Sequence, residues 1–256
     1  MAWFSIDAIT PFQGSEFGYE SSYNSAAISN EPLFQQQKKS AVVTRIENTA
    51  PASTAQAVSI KSPQKFNVSF RTNPVDKYTQ EDLPKIFREP VNPSSWTNDP
   101  KILKNAPDPY FELKGKKTLA KCVVDITNCR LYVYDNSGKA IESFRVATGA
   151  PDSPTRPGVR KVLKKQIYPY SDCEPGTKRR RYPYDYGPKI AYLNAVDTST
   201  GTMNDDGGYL HGTRHEEAVA RTNRHVTHGC VRLHNRDTLY VVNDVLKYGD
   251  YLKYVK

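Results

Sequence analysis

The stretch KCVVDITNCRLYVYD, residues 121–135, determines the fold that the sequence predicts. β-Branched and aromatic residues alternate in it on both sides of the turn formers Thr127 and Asn128, which is typical of a β-hairpin. Further short strands are expected at residues 141–149, 190–196, 208–212 and 251–255. The sequence therefore predicts a mostly β, sandwich-like domain with one or two short helices.

One helix is expected late in the chain. Asn235 is a suitable N-cap residue, and Asp237 suits the first turn. Apolar residues then repeat at helical spacing, at Leu239, Val242, Val245 and Leu246. This pattern predicts a helix that begins near Asn235 and ends at Gly249.

The first part of the chain differs in composition from the second. Residues 1–116 are rich in Ser, Thr, Ala, Asn, Gln and Pro, so they bury too little apolar surface to offset chain entropy. We expect a low-complexity, mostly disordered arm or tether, with one strand-like segment at 66–70 and a few docking segments such as 83–87. A small folded binding module is the alternative. Residues 117–256 are predicted to form the β domain.

The overall composition restricts the possible partners. The formal net charge of +9 favours an acidic partner, which could be nucleic acid, anionic lipid or an anionic polymer. No nucleic-acid fold signature accompanies the charge, so we expect no nucleic-acid partner. No stretch reaches the roughly 18 apolar residues of a membrane span, and the first residues lack the positively charged region of a secretory signal. We therefore expect no membrane span and no recognisable signal peptide.

A cluster of histidines around one cysteine indicates a catalytic site. All five histidines fall within residues 211–234, which also contain Cys230. A thiol with an ordinary pKa of about 8.5 is only partly ionised at neutral pH, so a nucleophilic cysteine needs an imidazole to accept its proton. His211 ends a predicted strand and precedes Gly212, which makes it the expected general base for Cys230.

Gly229, immediately before Cys230, is expected to help bind the reacting group. A glycine lets the backbone approach a carbonyl closely, and the N–H groups of Gly229 and Cys230 could form an oxyanion hole. Two alternatives remain open: an inert core thiol, and a metal site formed by His211-x3-His215 with His225-x2-His228-x-Cys230. No Cys-x2-Cys or His-Glu-x2-His pair supports a metal, so neither metal nor cofactor is predicted. The other three cysteines are expected to be ordinary thiols, and no disulfide is predicted.

Two linked motifs resemble a known family. YLHGT (residues 209–213) followed by THGCVRL (residues 227–233) closely resembles the signature of the L,D-transpeptidase (YkuD) catalytic domain. The resemblance extends over roughly residues 117–256 and no further. It implies a mostly β domain and a reaction in which cysteine attacks the third-position diamino acid of a peptidoglycan stem peptide. Loss of the terminal D-Ala leaves a thioester, which the amine of a second stem converts into a 3→3 crosslink.

The resemblance also implies the roles of individual residues. Cys230 is the nucleophile, His211 is the base, and the carbonyl of Gly212 orients the imidazole. His228 and Arg232 are expected in the substrate site, where the guanidinium of Arg232 suits a carboxylate. The remaining expected substrate-binding residues are Tyr209, Thr227 and Gly229.

The implied substrate suggests a cell-envelope location and a role in cell-wall biogenesis and cell shape. Two other functions remain open from the sequence. With water as acceptor, the same site is an L,D-carboxypeptidase or wall-peptide hydrolase. A non-catalytic wall-binding protein is an alternative of another class. The oligomeric state is not predicted.

A basic, Tyr-rich insertion at residues 169–188 departs from the family pattern. The plainer interpretation is a solvated loop, and the functional one is a segment beside the active site that contacts anionic substrate.

Overall fold

The centre of the structure is the hairpin predicted at residues 121–135. In the computed structural model, which describes residues 72–256, strand β3 (Cys122–Asp125) pairs antiparallel with β4 (Arg130–Tyr134). Because side chains alternate along a strand, Val124 and Leu131 face the main core whereas Val123 and Tyr132 pack on the opposite face. Both faces of the hairpin are therefore buried.

The hairpin belongs to a nine-stranded mixed sheet. Its strands follow the order β12-β10-β8-β7-β13-β3-β4-β5, and β9 pairs with β8. A hairpin of β1 and β2 and a parallel pair of β6 and β11 lie outside it. The other strands are β1 (Tyr110–Leu113), β2 (Lys116–Leu119), β5 (Ala140–Arg145), β6 (Thr148–Gly149), β7 (Gly158–Ile167), β8 (Lys189–Val196), β9 (Met203–Asn204), β10 (Tyr209–His211), β11 (His225–Thr227), β12 (Val231–Arg232) and β13 (Tyr251–Val255).

Helices are few and short in residues 72–256, so the predicted mostly β class is confirmed. The α-helices are α1 (Pro100–Leu103), α2 (Lys178–Arg181), α3 (Glu217–Ala220) and α4 (Asn235–Tyr240). Turns of 3-10 helix occur at Pro74–Lys77, Lys85–Phe87 and Pro183–Tyr186, and a π-helical turn at Val241–Val245 extends α4. No helix in the described part of the chain is long and apolar enough to cross a bilayer.

The predicted late helix is present, but its first residue has a different role from the one expected. His234 occupies the N-cap position, and Asn235 is the first residue of α4. The Asn235 side chain accepts a hydrogen bond from the Thr213 N–H at 2.9 Å instead of capping the helix. A tertiary contact to the loop after β10 therefore replaces the expected local one.

The predicted N-terminal arm is described only from residue 72, so its segment 66–70 lies outside the described residues. From there on it packs against the β domain. Val75 joins the main core, and Leu83 and Phe87 of the expected docking segment pack with Leu239. Residues 72–116 thus pack in the cores or belong to the β1–β2 hairpin, whereas the division near residue 117 and the disorder expected before residue 72 stay predictions.

Two adjacent side chains of α4 bind this upstream segment. Arg236 donates hydrogen bonds to the carbonyls of Tyr78 at 2.7 Å and Asn92 at 3.3 Å. Asp237 is fully buried and accepts hydrogen bonds from the Ser94 hydroxyl at 2.5 Å and from the Ser95 N–H and hydroxyl, both at 2.8 Å. Burial raises the pKa of Asp237 to about 6. Ionic hydrogen bonds therefore connect the segment to the start of α4.

Substitution of Arg236 by methionine should loosen this segment while preserving the aliphatic part of the side chain. We expect the free energy of unfolding to fall by about 2 kcal/mol, because hydrogen bonds to a charged donor are lost. Denaturant unfolding measures the loss, and faster amide exchange over residues 75–92 locates it. Lys101→Met is the control, since Lys101 is exposed on α1. A stability within 0.5 kcal/mol of wild type for Arg236→Met would contradict this account.

Candidate active site

One pocket brings together four of the residues predicted for the site. It has a volume of about 220 Å³, and Cys230, His211, His228 and Arg232 line it. The other lining residues are Lys178, Asp185, Tyr186, Arg214 and His215. The sequence motif thus identified one wall of the pocket and missed the residues that the insertion contributes.

Strand pairing explains why distant parts of the motif meet. β10 pairs in parallel with β12, and this register places His211 opposite Arg232. β10 also pairs with β8, on its other side. The base and the guanidinium therefore extend from neighbouring strands of one sheet, with Cys230 in the turn that leads into β12.

Hydroxyl groups hold the turn that carries Cys230. The Thr227 hydroxyl donates to the Cys230 carbonyl at 2.7 Å and accepts from the Gly229 N–H at 3.2 Å. The Thr155 hydroxyl donates to the Gly229 carbonyl at 2.9 Å. Gly229 has φ +100°, which favours glycine. The Gly229 N–H is thus engaged within the turn, whereas the Cys230 N–H has no hydrogen-bond partner among residues 72–256.

His211 is buried, and a main-chain carbonyl fixes its orientation. Its Nδ1 lies 2.5 Å from the carbonyl oxygen of Gly212. Because a carbonyl only accepts hydrogen bonds, Nδ1 carries the proton and Nε2 is left as an acceptor. Burial and the nearby Arg232 lower the pKa of His211 to about 3, against the opposing effect of the Gly212 and Tyr186 carbonyls. The imidazole is therefore neutral at physiological pH.

Close packing holds the Gly212 carbonyl in place. A Cβ at Gly212 would lie 2.4 Å from Asn235 Oδ1, and one at Gly187 would lie 2.5 Å from the Gly212 backbone. The Asn235 side chain binds the next residue, Thr213, and the Glu216 carboxylate accepts the Asn235 N–H. A chain of buried polar contacts therefore runs from Glu216 to the base.

All four cysteines are free thiols, and Cys230 is partly exposed whereas the other three are buried. Its Sγ lies 3.7 Å from the Gly207 carbonyl oxygen. Burial of the sulfur raises the pKa of the thiol, while the Tyr209 N–H and the charges of Arg232 and Lys178 lower it. The thiol and the imidazole of His211, which line the same pocket, are thus both uncharged at neutral pH.

A second thiol lies close to a second imidazole. Cys129 Sγ is 3.5 Å from His225 Nε2 and 3.4 Å from the Thr148 hydroxyl. Cys129 is only 3% exposed and does not line the pocket that contains Cys230. Its position therefore favours Cys230 as the reactive thiol.

The remaining predicted site residues lie behind the pocket wall. Thr227 is buried in the turn, and Gly212 lies behind the imidazole. The Tyr209 ring packs 4.9 Å from the Tyr192 ring and under the Arg179 guanidinium at 4.8 Å. In Tyr209 it is the backbone N–H, not the ring, that acts on the Cys230 sulfur. Direct substrate contacts of these three residues stay predictions.

The insertion at 169–188 folds against the base. Tyr170 is fully buried, and its hydroxyl donates to the carbonyls of Tyr186 at 3.1 Å and Gly187 at 2.8 Å. The ring of Tyr186 lies 5.0 Å from that of His211. Arg214 forms an ion pair with Asp185 at 3.2 Å across the rim of the pocket. The insertion is therefore part of the pocket wall, and its density of tyrosines was the available sequence signal.

The histidines and acidic residues form no metal centre in the described region. No group of three or more His, Cys, Asp or Glu residues with suitable spacing for a metal ion occurs within residues 72–256.

Comparison with known proteins gives a family match and several similar structures. The family model of the L,D-transpeptidase catalytic domain (YkuD) matches residues 120–250, just over half of the chain. An L,D-transpeptidase from Stackebrandtia nassauensis is 25% identical over 60% of this chain and 62% of that chain, with a TM-score of 0.38. One from Mycobacterium smegmatis is 20% identical over 57% and 66%, with a TM-score of 0.35.

A variant L,D-transpeptidase from Enterococcus faecium is 15% identical over 53% of this chain and 49% of that chain, with a TM-score of 0.35. The chain thus spans about half to two thirds of the length of the solved structures that it matches. No curated protein sequence matches it.

The buried carboxyl behind the base should make stability depend on pH. Burial raises the pKa of Glu216 from 4.5 to about 7. The unfolded carboxyl ionises near pH 4.5 while the folded one keeps its proton, so wild type loses stability as pH rises from 4.5 through 7. Glu216→Gln keeps an acceptor for the Asn235 N–H without this loss. We expect its unfolding free energy, relative to wild type, to increase by roughly 2 kcal/mol between pH 5 and 8.

Denaturant titrations of both proteins at several pH values measure this difference. Glu217→Gln is the matched control, because the Glu217 side chain is exposed. A Glu216→Gln difference that stays constant with pH, as expected for the control, would show that Glu216 ionises normally.

Proposed function

The chain belongs to the L,D-transpeptidase (YkuD) catalytic domain family, and we propose that it is a cysteine-dependent acyltransferase that forms 3→3 crosslinks between peptidoglycan stem peptides. The observation that carries this proposal is that Cys230, His211 and Arg232 line one pocket. These side chains supply a nucleophile, a neutral base and a carboxylate-binding cation, which is the set that acyl transfer from an anionic peptide requires. The cell envelope is the proposed location, with cell-wall biogenesis as the role.

The first half-reaction forms a thioester. Arg232 binds a carboxylate of the donor stem, and Cys230 Sγ attacks the carbonyl carbon of the third-position diamino acid. His211 Nε2 accepts the thiol proton as the C–S bond forms. The Cys230 N–H faces the resulting oxyanion. When the tetrahedral intermediate collapses, the bond to the terminal D-Ala breaks, and His211 returns the proton to the departing amine.

The second half-reaction transfers the acyl group. An amine of a neighbouring stem attacks the thioester carbonyl, and His211 accepts a proton from that amine. The C–S bond breaks, the new amide is the crosslink, and the thiol recovers its proton. With water in place of the amine, the same steps release a tripeptide, which is the carboxypeptidase reaction. Dimers among the products distinguish the transferase from the hydrolase.

The electrostatics of the pocket support proton transfer that accompanies attack. Burial raises the pKa of Cys230 and lowers that of His211, so a thiolate–imidazolium pair is not favoured before substrate binds. Arg232 favours the thiolate and disfavours the imidazolium. A substrate carboxylate bound to Arg232 would offset its charge and so weaken its opposition to protonation of His211.

Substitution of Cys230 should remove turnover, and substitution of His211 should slow it strongly, without unfolding the protein. Tetrapeptide stems incubated with wild type should yield D-Ala and dimers, as measured by chromatography and mass spectrometry. We expect no turnover from Cys230→Ala and a loss of roughly 100- to 10,000-fold from His211→Ala, because general-base catalysis is removed. Cys129→Ala should keep its activity, since Cys129 lies outside the pocket.

A carbapenem is a direct probe of the same thiol. Intact mass should show a single acyl adduct on wild type and on Cys129→Ala, and none on Cys230→Ala. An unmodified wild type, or turnover retained by Cys230→Ala, would refute the proposed mechanism. Binding to the cell wall without any turnover would instead favour the non-catalytic wall-binding protein.

The rate of thiol alkylation should report the charges around Cys230. The iodoacetamide reaction of Cys230 should rise with pH, with a midpoint above the value of about 8.5 for a free cysteine, because burial disfavours the thiolate. Arg232→Ala should move the midpoint higher, since a cation that stabilises the thiolate is removed. Lys101→Ala, at an exposed residue of α1 that does not line the pocket, should leave it unchanged. A wild-type midpoint below pH 8 would contradict the proposed uncharged pair.

A further inference from the structure

Two cations in the active-site pocket have no partner. The ammonium group of Lys178 makes no hydrogen bond, ion pair or ring contact with any residue in 72–256, and neither does the guanidinium of Arg232. The Arg232 Nε is also buried. Neighbouring cations are engaged: Arg214 pairs with Asp185, and Arg179 stacks on two tyrosine rings. Lys178 and Arg232 thus remain available for a ligand.

The two free cations lie near the same sulfur but belong to different parts of the chain. Both lower the pKa of the Cys230 thiol, so both charges act at Sγ. Arg232 extends from β12, whereas Lys178 is the first residue of α2, in the insertion. Among the described residues one carboxylate lines the pocket, that of Asp185, and Arg214 already binds it. The pocket therefore presents two separated positive charges to its ligand.

The backbone that carries Lys178 is fixed. The Thr177 hydroxyl accepts the Arg180 N–H at 3.4 Å, and the Arg180 guanidinium donates to the Cys173 carbonyl at 3.0 Å. Next to Lys178, the Arg179 guanidinium lies 4.9 Å from the ring of Tyr192. Contacts on its neighbours hold α2 to the domain, whereas the lysine side chain is exposed at the pocket.

We propose that Lys178 is a specificity-determining residue that selects an acyl donor with a second carboxylate, carried at the far end of the third-position diamino acid. This inference rests on the proposed function. Every stem with a free terminal D-Ala brings a terminal carboxylate, which Arg232 can bind. A diamino acid with a free carboxylate supplies a partner for Lys178 as well. A carboxamide at that position leaves the ammonium group unpaired, and a lysine side chain places a like charge near it.

Three tetrapeptide donors test the proposal. They differ only at the third residue, which is a diamino diacid, the same residue as its carboxamide, or lysine. We expect wild type to favour the diacid over the carboxamide by about tenfold or more in kcat/KM, because one charge-assisted hydrogen bond is gained. Lys178→Ala should abolish this preference through a higher KM for the diacid, with little change for the carboxamide. Lys178→Glu should favour the lysine-containing donor.

Lys116→Ala is the matched control, because Lys116 is an exposed lysine of the separate β1–β2 hairpin. It should keep the wild-type preference. The inference is overturned if wild type does not distinguish the diacid from the carboxamide. It is equally overturned if Lys178→Ala keeps the preference or loses activity equally toward all three donors, since the ammonium group would then serve a feature that all donors share.

Binding to the Cys230→Ala protein separates this inference from the proposed function. Calorimetry should show tighter binding of the diacid donor, and the difference should disappear in the Cys230→Ala, Lys178→Ala double variant. Absence of turnover in wild type, together with this Lys178-dependent difference, would refute the proposed reaction but support the inference. Turnover in wild type without a Lys178-dependent difference in donor binding would support the proposed reaction but refute the inference.

Discussion

The orientation of the His211 imidazole by the Gly212 carbonyl is the constraint on which the rest of the site depends. A carboxylate in this role would tolerate small displacements and bring a charge of its own, whereas a carbonyl is neutral and must be held by the backbone. The structure meets this requirement with two glycines in close backbone contact, at positions 187 and 212, and with the Asn235 amide against the following residue. Packing around the base thus replaces a third catalytic side chain.

Burial also shifts the pKa values of His211 and of other ionisable groups in the interior. His211 and His234 have lowered pKa values, at about 3 and 4, and Glu216 and Asp237 have raised ones, at about 7 and 6, in each case chiefly because burial disfavours the charged form. The lowered histidine pKa values make the free energy of unfolding rise with pH, whereas the raised carboxyl pKa values make it fall. The two effects partly offset each other between the acid and neutral ranges.

The strands and the core of the site could be predicted because their signals are local. Alternation within residues 121–135 determines a hairpin, and Cys230 and His211 belong to motifs only 19 residues apart along the chain. The contacts that sequence reasoning missed are long-range. Asp237 binds Ser95 across 142 residues, and Asn235 binds Thr213 in place of its own helix terminus. Neither of these contacts produces a periodic pattern in the sequence. The pocket wall formed by the insertion likewise depends on tertiary packing.

Three consecutive residues at the start of α4 contact two separate parts of the molecule. Asn235 binds the loop after the base, Arg236 the carbonyls of the upstream segment, and Asp237 its serines. Successive helical residues point about 100° apart, so a single inserted or deleted residue ahead of α4 would turn all three side chains away from their partners together. Length variation among homologous sequences should therefore be rare between Cys230 and Asn235, even where surface loops elsewhere differ freely in length.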